Sequence, residues 1–393
     1  MIRGGDAAGE IDPRLWERVG DDELRLTRRS TPEIDAILES VSSGARLRAP
    51  EALLLLRRAP LLDLGMAADR VRRRLHPEPI VTYIVDRNIN YTNVCVVRCS
   101  FCAFYRDPGH PEGYLHSKES LYAKIEETLA LGGTGILMQG GHHPDLPLEW
   151  YEDLLRSFKE RFPRLHVHAF SPPEVQHMVK VSGRSLREVL RRLKDAGLDS
   201  IPGGGGEILV DSVRRTISPL KTMSRDWLAV METAHALGLP TTATMMFGHV
   251  ESYADRVAHL EAIRDLQDRS LEGGRASFTA FISWTYKTEN TALGGREVSS
   301  SEYLRTQAVT RLFLDNIPNI QSSWVTQGKE IGQVALKFGA NDMGSTMIEE
   351  NVVSSAGTTF KMDEPQIVAA IRDAGFTPAR RNMLYERVES VRA

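Results

Sequence analysis

Two hydrophobic periods alternate along this chain. Short apolar runs occur at Pro79–Val85 (PIVTYIV), Gly135–Gln139 (GILMQ), Leu165–Phe170 (LHVHAF) and Ser200–Pro202 (SIP). They recur at Thr241–Phe247 (TTATMMF), Ser277–Trp284 (SFTAFISW), Ile320–Val325 (IQSSWV) and, weakly, Ala340–Met347 (ANDMGSTM). Runs of this kind predict strands of a parallel sheet buried on both faces. Between them lie amphipathic helical patterns such as SLYAKIEETLALGG, EWYEDLLRSFKERFP, SLREVLRRLKDAGL and SRDWLAVMETAHALGL, several ending at glycine as helix C-termini prefer. About eight strand–helix units make an α/β fold of the closed (β/α)8 barrel type. Residues 1–75 read as an N-terminal helical extension, in which Thr31 caps TPEIDAILESV and Pro32 takes the first helical position. Residues 76–355 read as the barrel, and residues 356–393 as a C-terminal helical segment with a capped helix in DEPQIVAAIRDAGF and a basic tail in ARRNMLYERVE. The stretch up to about Arg25 is polar, partly aperiodic, and expected to be loosely ordered.

Composition narrows the function classes. With 41% hydrophobic and 26% charged residues the chain is ordinary for a globular protein, and its formal net charge of −3 supplies no basic footprint for nucleic acid. The first residues are charged and lack the apolar core of a secretory signal. The nearest approach to a membrane span, Leu53–Leu56, is followed at once by Arg57 and Arg58. A cytoplasmic protein with neither a nucleic-acid nor a membrane partner is expected, and a homodimer is one assembly open to it.

The chemistry is concentrated in one place. All three cysteines, Cys95, Cys99 and Cys102, stand in a C-x-x-x-C-x-x-C spacing. Buried thiols used only for packing would be scattered along the chain. Structural zinc wants four ligands, usually from two pairs; here there is no second pair, although His110 offers a fourth donor. An iron–sulfur cluster normally takes four thiolates, so three leave one iron open to bind a small molecule. Polar or glycine-rich stretches also follow the predicted strands: DRNINYTN, QGGHHPDL, GGGGEIL, GHVES and TYKTENT. One such loop is only a tight turn. Several on the face where barrels carry function, together with the cysteines, point to a site.

With Phe101 in the aromatic slot, the cysteine motif resembles the signature of the radical S-adenosylmethionine (SAM) superfamily. The resemblance implies a 4Fe-4S cluster on the three cysteines, SAM chelating the open iron, and a 5′-deoxyadenosyl radical as the reactive species. With no further cysteine, no second cluster is implied. Gly140 and Gly141 match the glycine motif at the methionine amino group, and Gly248 and Glu251 resemble the Gly-x-x-Glu motif beside the adenine. Glu207 is placed to accept from the ribose hydroxyls. Either glutamate also reads as a solvated loop charge.

From about Thr31 onward the likeness is closer. DRNINYTNVCVVRCSFCAFYR, GGTGILMQGG, HPDLPLEWYEDLLRS, FSPPE, AGLDSIPGGG, TTATMMFGHVE and NDMGSTMIEENVV resemble the cyclic dehypoxanthinyl futalosine synthase family of the futalosine route to menaquinone. Aminofutalosine synthase and the two subunits that build the F420 deazaflavin share parts of these motifs. His142, Gly206 and the ISWTYKTENT stretch with Ser283, Lys287 and Thr288 depart from the family pattern, as does the polar lead Gln267–Ser277. The implied substrate is dehypoxanthine futalosine. The adenosyl radical takes hydrogen from its ribose 4′ carbon, which then adds to the benzoate ring, and loss of an electron and a proton restores aromaticity. An external one-electron reductant such as flavodoxin or ferredoxin is implied. Arg87, Asn88, His142 and Trp284 are the expected substrate contacts, with Arg87 gripping the benzoate carboxylate in two-pronged fashion. His143 and Asp342 are the expected catalytic pair, although no motif singles out the base, and Asp86 reads as half of a barrel-mouth salt bridge. A non-catalytic zinc or iron–sulfur module on a barrel scaffold is the reading from a different class.

Overall fold

The barrel closes because its first stave breaks in two. The computed structural model describes residues 30–388. Its strands are β1 (Ile80–Ile84), β2 (Arg87–Asn90), β3 (Gly135–Gln139), β4 (His166–Ala169), β5 (Thr241–Phe247), β6 (Phe278–Thr285), β7 (Asn319–Gln321), β8 (Asp342–Ser345) and β9 (Thr377–Arg380). One sheet runs β5-β6-β7-β8-β1-β9 and the other β2-β3-β4, with every pair parallel. β1 therefore pairs with β8, while its continuation β2 crosses to β3. The run expected at Ser200–Pro202 is reduced to two bridges, His168 to Ser200 and Ile201 to Thr241, which stitch the sheets together. Pro202 has no N–H to extend that ladder.

Two elements differ from expectation. DRNIN, expected as a loop, pairs residue by residue with β3 from Arg87–Ile136 to Asn90–Gln139. Tertiary pairing overrides its weak strand propensity. The segment 356–393, expected to be helical, holds the helix Glu364–Asp373 and then β9, which pairs with β1 from Ile80–Thr377 to Tyr83–Arg380. When β2 leaves for β3 it uncovers an edge of β1, and β9 supplies the missing partner. The chain then turns back through a bridge between Arg381 and Arg387.

The helices largely follow the apolar spacing. Thr31 caps Pro32–Ser42 by accepting from the Ile34 N–H. Gly197, at φ +119°, closes Leu186–Ala196 where only glycine is unstrained. The polar lead into β6 is helical through Glu272, and Gln267 braces it by exchanging hydrogen bonds with the Phe278 backbone. Outside the barrel, Ala49–Arg58 and Leu61–Leu75 lie against Ser300–Phe313, where Arg305 donates to the Ala59 carbonyl at 2.6 Å. The leading stretch up to Arg25 lies outside the described residues. No described helix is long and apolar enough to cross a membrane.

Candidate active site

The cysteine loop is fastened at both ends. The Cys95 N–H donates to Arg106 O, the Val96 N–H to His142 O, and the Ser100 N–H to Ile217 O. The Arg106 guanidinium reaches the carbonyls of Ala103, Phe104 and Tyr105, so one side chain gathers the turn that follows Cys102. The three thiols are free. Burial pushes Cys99 up to about 12; Lys221 opposes this, while Glu207, Cys102 and Cys95 add to it. Burial also raises Cys102, against N–H groups of Tyr105 and Phe104 aimed at its sulfur. Cys99 feels both other thiols and Cys102 feels Cys95, so holding these two as thiolates calls for a cation beside them.

The loops after β3 and β4 form the bed beneath. A Cβ on Gly141 would lie 2.2 Å from Val94 O and 2.9 Å from Cys95 Cβ; one on Gly140 would lie 2.5 Å from the Tyr91 ring. Only glycines let this turn pass under the cysteine loop. Glu174, which the sequence reading missed as a site residue, fixes the turn. Its Oε1 accepts from the Gly140 N–H and the Tyr91 hydroxyl, both at 2.9 Å, and its Oε2 accepts from Ser171 N–H and hydroxyl. The signal was present as a Ser-Pro-Pro-Glu capping box.

Both loop glutamates of the SAM motifs are buried, which replaces the picture of solvated charges. Glu207 sits at φ +32°, 2.7 Å from Lys221 Nζ and 3.4 Å from Arg214 Nη1. Burial pushes its carboxyl up, but Lys221 and Arg214 outweigh that and hold it below the usual range. Lys221, also unforeseen, stands 5.3 Å from the centre of the Phe101 ring. Glu251 accepts from the N–H groups of Gly248 and His249 and from Arg256 Nε. Its carboxylate is spent on bracing its own loop. Gly248, at φ +91°, faces Val298, which a Cβ would meet at 2.7 Å.

Below these loops a cavity of about 250 Å³ opens in the barrel. Asn88 and Trp284 line it, as does Asp86. Arg87 does not: strand alternation turns it outward, onto Glu127 and, at 3.4 Å, Glu349. The expected carboxylate contact is thus directed away from the cavity, and Asp86 and Arg87 form no salt bridge with each other. His142 packs its ring 5.1 Å from that of His177, and burial holds it well below its ordinary pKa. His143 accepts from the Asp145 N–H and gives its carbonyl to His177. Asp342 lies on the barrel floor with both oxygens bound by Arg381. The structure therefore places His142, His143 and Asp342 outside the cavity lining. The cation that does line it is Arg381, from the C-terminal tail.

The residues fit the implied cluster. Three free thiols share one fastened loop, burial raises Cys99 and Cys102 above the ordinary thiol range, and backbone donors are aimed at the Cys102 sulfur. Among the described residues no group of three or more His, Cys, Asp or Glu side chains is placed to hold a single metal ion.

Comparison with known proteins agrees. The radical SAM superfamily model matches residues 89–263, and that of the CofH/MqnC C-terminal region matches residues 275–393. The cyclic dehypoxanthine futalosine synthase of Halalkalibacterium halodurans is 49% identical, covering 91% of this chain and 95% of its own. The synthase of the same name from Streptomyces coelicolor is 48% identical, covering 91% and 89%. In fold, the crystal structure of methylornithine synthase superposes with a TM-score of 0.67 at 18% identity, covering 88% of this chain and 97% of that one. The chain is a radical SAM enzyme that uses a 4Fe-4S cluster and SAM, and it belongs to the family of the cyclic dehypoxanthine futalosine synthases.

Proposed function

We propose that this enzyme closes dehypoxanthine futalosine to cyclic dehypoxanthine futalosine in menaquinone biosynthesis. The observation that carries the reading is near-full-length likeness, at 49% and 48% identity, to two enzymes bearing the synthase name. Cys95, Cys99 and Cys102 hold the cluster, and Gly140, Gly141, Glu207, Lys221 and Gly248 shape the SAM bed. When bound, cluster and SAM together supply a 5′-deoxyadenosyl radical, which can take a hydrogen atom from an unactivated carbon.

The chain's own part is positioning and exclusion. Trp284, Ile84, Ile282 and Met347 wall the cavity and keep water from a carbon radical. Asn88 donates to Glu350 at 2.9 Å, while its Oδ1 is buried without a partner among the described residues. That acceptor suits a ribose hydroxyl, since a buried acceptor left unpaired is costly. Holding the ribose 4′ carbon against the aryl ring supplies much of the rate. An external one-electron reductant such as flavodoxin or ferredoxin, a cytoplasmic setting and a homodimer belong to the same reading.

Anaerobic turnover with SAM, a reductant and substrate deuterated at the ribose 4′ position tests it. Deuterium is expected in 5′-deoxyadenosine, with a product lighter than the labelled substrate by one deuterium and one hydrogen. Unlabelled 5′-deoxyadenosine beside normal product defeats the abstraction site, and no cyclised product defeats the function.

A further inference from the structure

Closing the ring costs the aryl carbon a proton, and the cavity must take it. Asp86 stands where the first stave breaks, between β1 and β2, and lines the cavity at 6% exposure. Its Oδ1 accepts from the Ser345 hydroxyl. Among the described residues no hydrogen bond reaches Oδ2, so that oxygen has room to take a proton. We propose that Asp86 is the base that removes the ring proton, with Ser345 as its positioning residue. This inference rests on the function proposed above.

The other titratable groups at the cavity are committed elsewhere. Glu350 accepts from Asn88 on Oε2 and from the Val353 N–H on Oε1. Asp342, on β8 and just outside the lining, is held on both oxygens by Arg381, so the one cation that lines the cavity among the described residues is already paired. His168, on β4, gives Nδ1 to Ser200 at 2.6 Å and is pushed down to about 3 by burial. Tyr385, from the tail, stacks on Arg381, and burial raises its phenol. Asp86 alone combines access, an open oxygen and a basicity suited to neutral pH. Burial pushes it up to about 6; Ser345 and Arg381 pull it down, and Asp342 adds to the rise. A general base works best with a pKa near the operating pH.

Addition of the 4′ radical forms a carbon–carbon bond and leaves an unpaired electron on the ring. The C–H bond at the new junction breaks and its proton goes to the Asp86 carboxylate. The C–H electron pair stays in the ring, giving an arene radical anion. That anion passes one electron to a one-electron acceptor of the iron–sulfur class and regains its sextet.

The test is anaerobic turnover of the reconstituted full chain with 4′-deuterated substrate, reading 5′-deoxyadenosine and cyclised product separately across pH. The parent should show product formation rising with pH through about 6. Asp86→Asn should still transfer deuterium to 5′-deoxyadenosine, while cyclised product falls by roughly 100-fold or more and the pH rise disappears. Ser345→Ala removes a donor that favours the ionised form, so its rise should move to higher pH by roughly half to one unit. Asp86→Asn with parental product yield and the same pH rise overturns the proposal. So does equal loss of SAM cleavage and product in that variant, or an unmoved pH rise in Ser345→Ala. If the parent itself makes no cyclised product, the function fails, whatever Asp86 does.

Discussion

The Arg381 guanidinium and the Asp342 carboxylate meet in two-pronged geometry on the barrel floor, Nε to Oδ2 at 2.5 Å and Nη2 to Oδ1 at 2.9 Å. Thr82 adds a hydroxyl to Asp342 Oδ2, and the Tyr385 ring lies 3.7 Å from the guanidinium carbon. Three parts of the chain, β1, β8 and the tail after β9, are thereby tied at one point. An aspartate expected to be catalytic is instead half of the clasp that closes the cavity from below.

Breaking that clasp leaves a buried charge unpaired. Arg381→Met or Asp342→Asn should each cost about 3–5 kcal/mol, and the double substitution should cost clearly less than the sum. Denaturant unfolding of the two single variants and the double variant measures this. Additive losses would show that the two residues act independently.

The glycine turn under the cysteine loop makes a sharper demand than its sequence suggests. A Cβ at Gly141 would overlap Val94 O and crowd Cys95, so Gly141→Ala must displace the loop or the turn. The expected result is a folded protein, by circular dichroism, with much lower iron content after anaerobic reconstitution. Replacement of Cys95, Cys99 or Cys102 by Ala should abolish SAM cleavage with the same retained fold, because the barrel core does not rest on this loop. Full iron content in Gly141→Ala would mean that the loop moves without cost.

Arg87 is expected to matter little for substrate. Its guanidinium serves Glu127, which is 61% exposed, and Glu349, which Lys124 also holds at 2.6 Å. Arg87→Lys should change stability by about 1 kcal/mol or less and leave KM within about twofold. Steady-state kinetics check this, and a large rise in KM would return the carboxylate contact to Arg87.

What was legible in the chain was what local pattern can carry. Cys95, Cys99 and Cys102 announce themselves by spacing, and strands such as TTATMMF by continuous apolar runs. DRNIN carries a single apolar residue, Ile89, and no alternation, so its pairing with β3 was invisible, and with it the outward direction of Arg87. The tail was harder still. β9 forms because β1 loses a neighbour about 300 residues earlier in the chain, and no local period reports such a vacancy. Lys221 and Arg381 took their places for the same reason: each is an ordinary surface residue in sequence and gains a partner only through the closed barrel.

The Glu174 carboxyl makes stability depend on pH. Burial pushes this carboxyl up to about 6, even though Ser171, Gly140 and Tyr91 all donate to it. A carboxyl whose pKa is higher folded than unfolded holds its proton more tightly in the folded state. Its contribution is therefore full below the unfolded value of about 4.5 and is lost as pH rises through about 6. The loss is on the order of 2 kcal/mol. Glu207 and Glu251 run the other way, since both are held low and lose their contribution as pH falls. The whole-protein curve thus mixes both signs, and Asp86 adds to the first. Subtracting the unfolding free energy of Glu174→Gln from that of the parent at each pH removes the shared groups. The difference should fall as pH rises from about 4.5 to about 6 and then level off. A difference that is flat, or that rises with pH, would mean that the four donors outweigh burial and that Glu174 is ionised throughout.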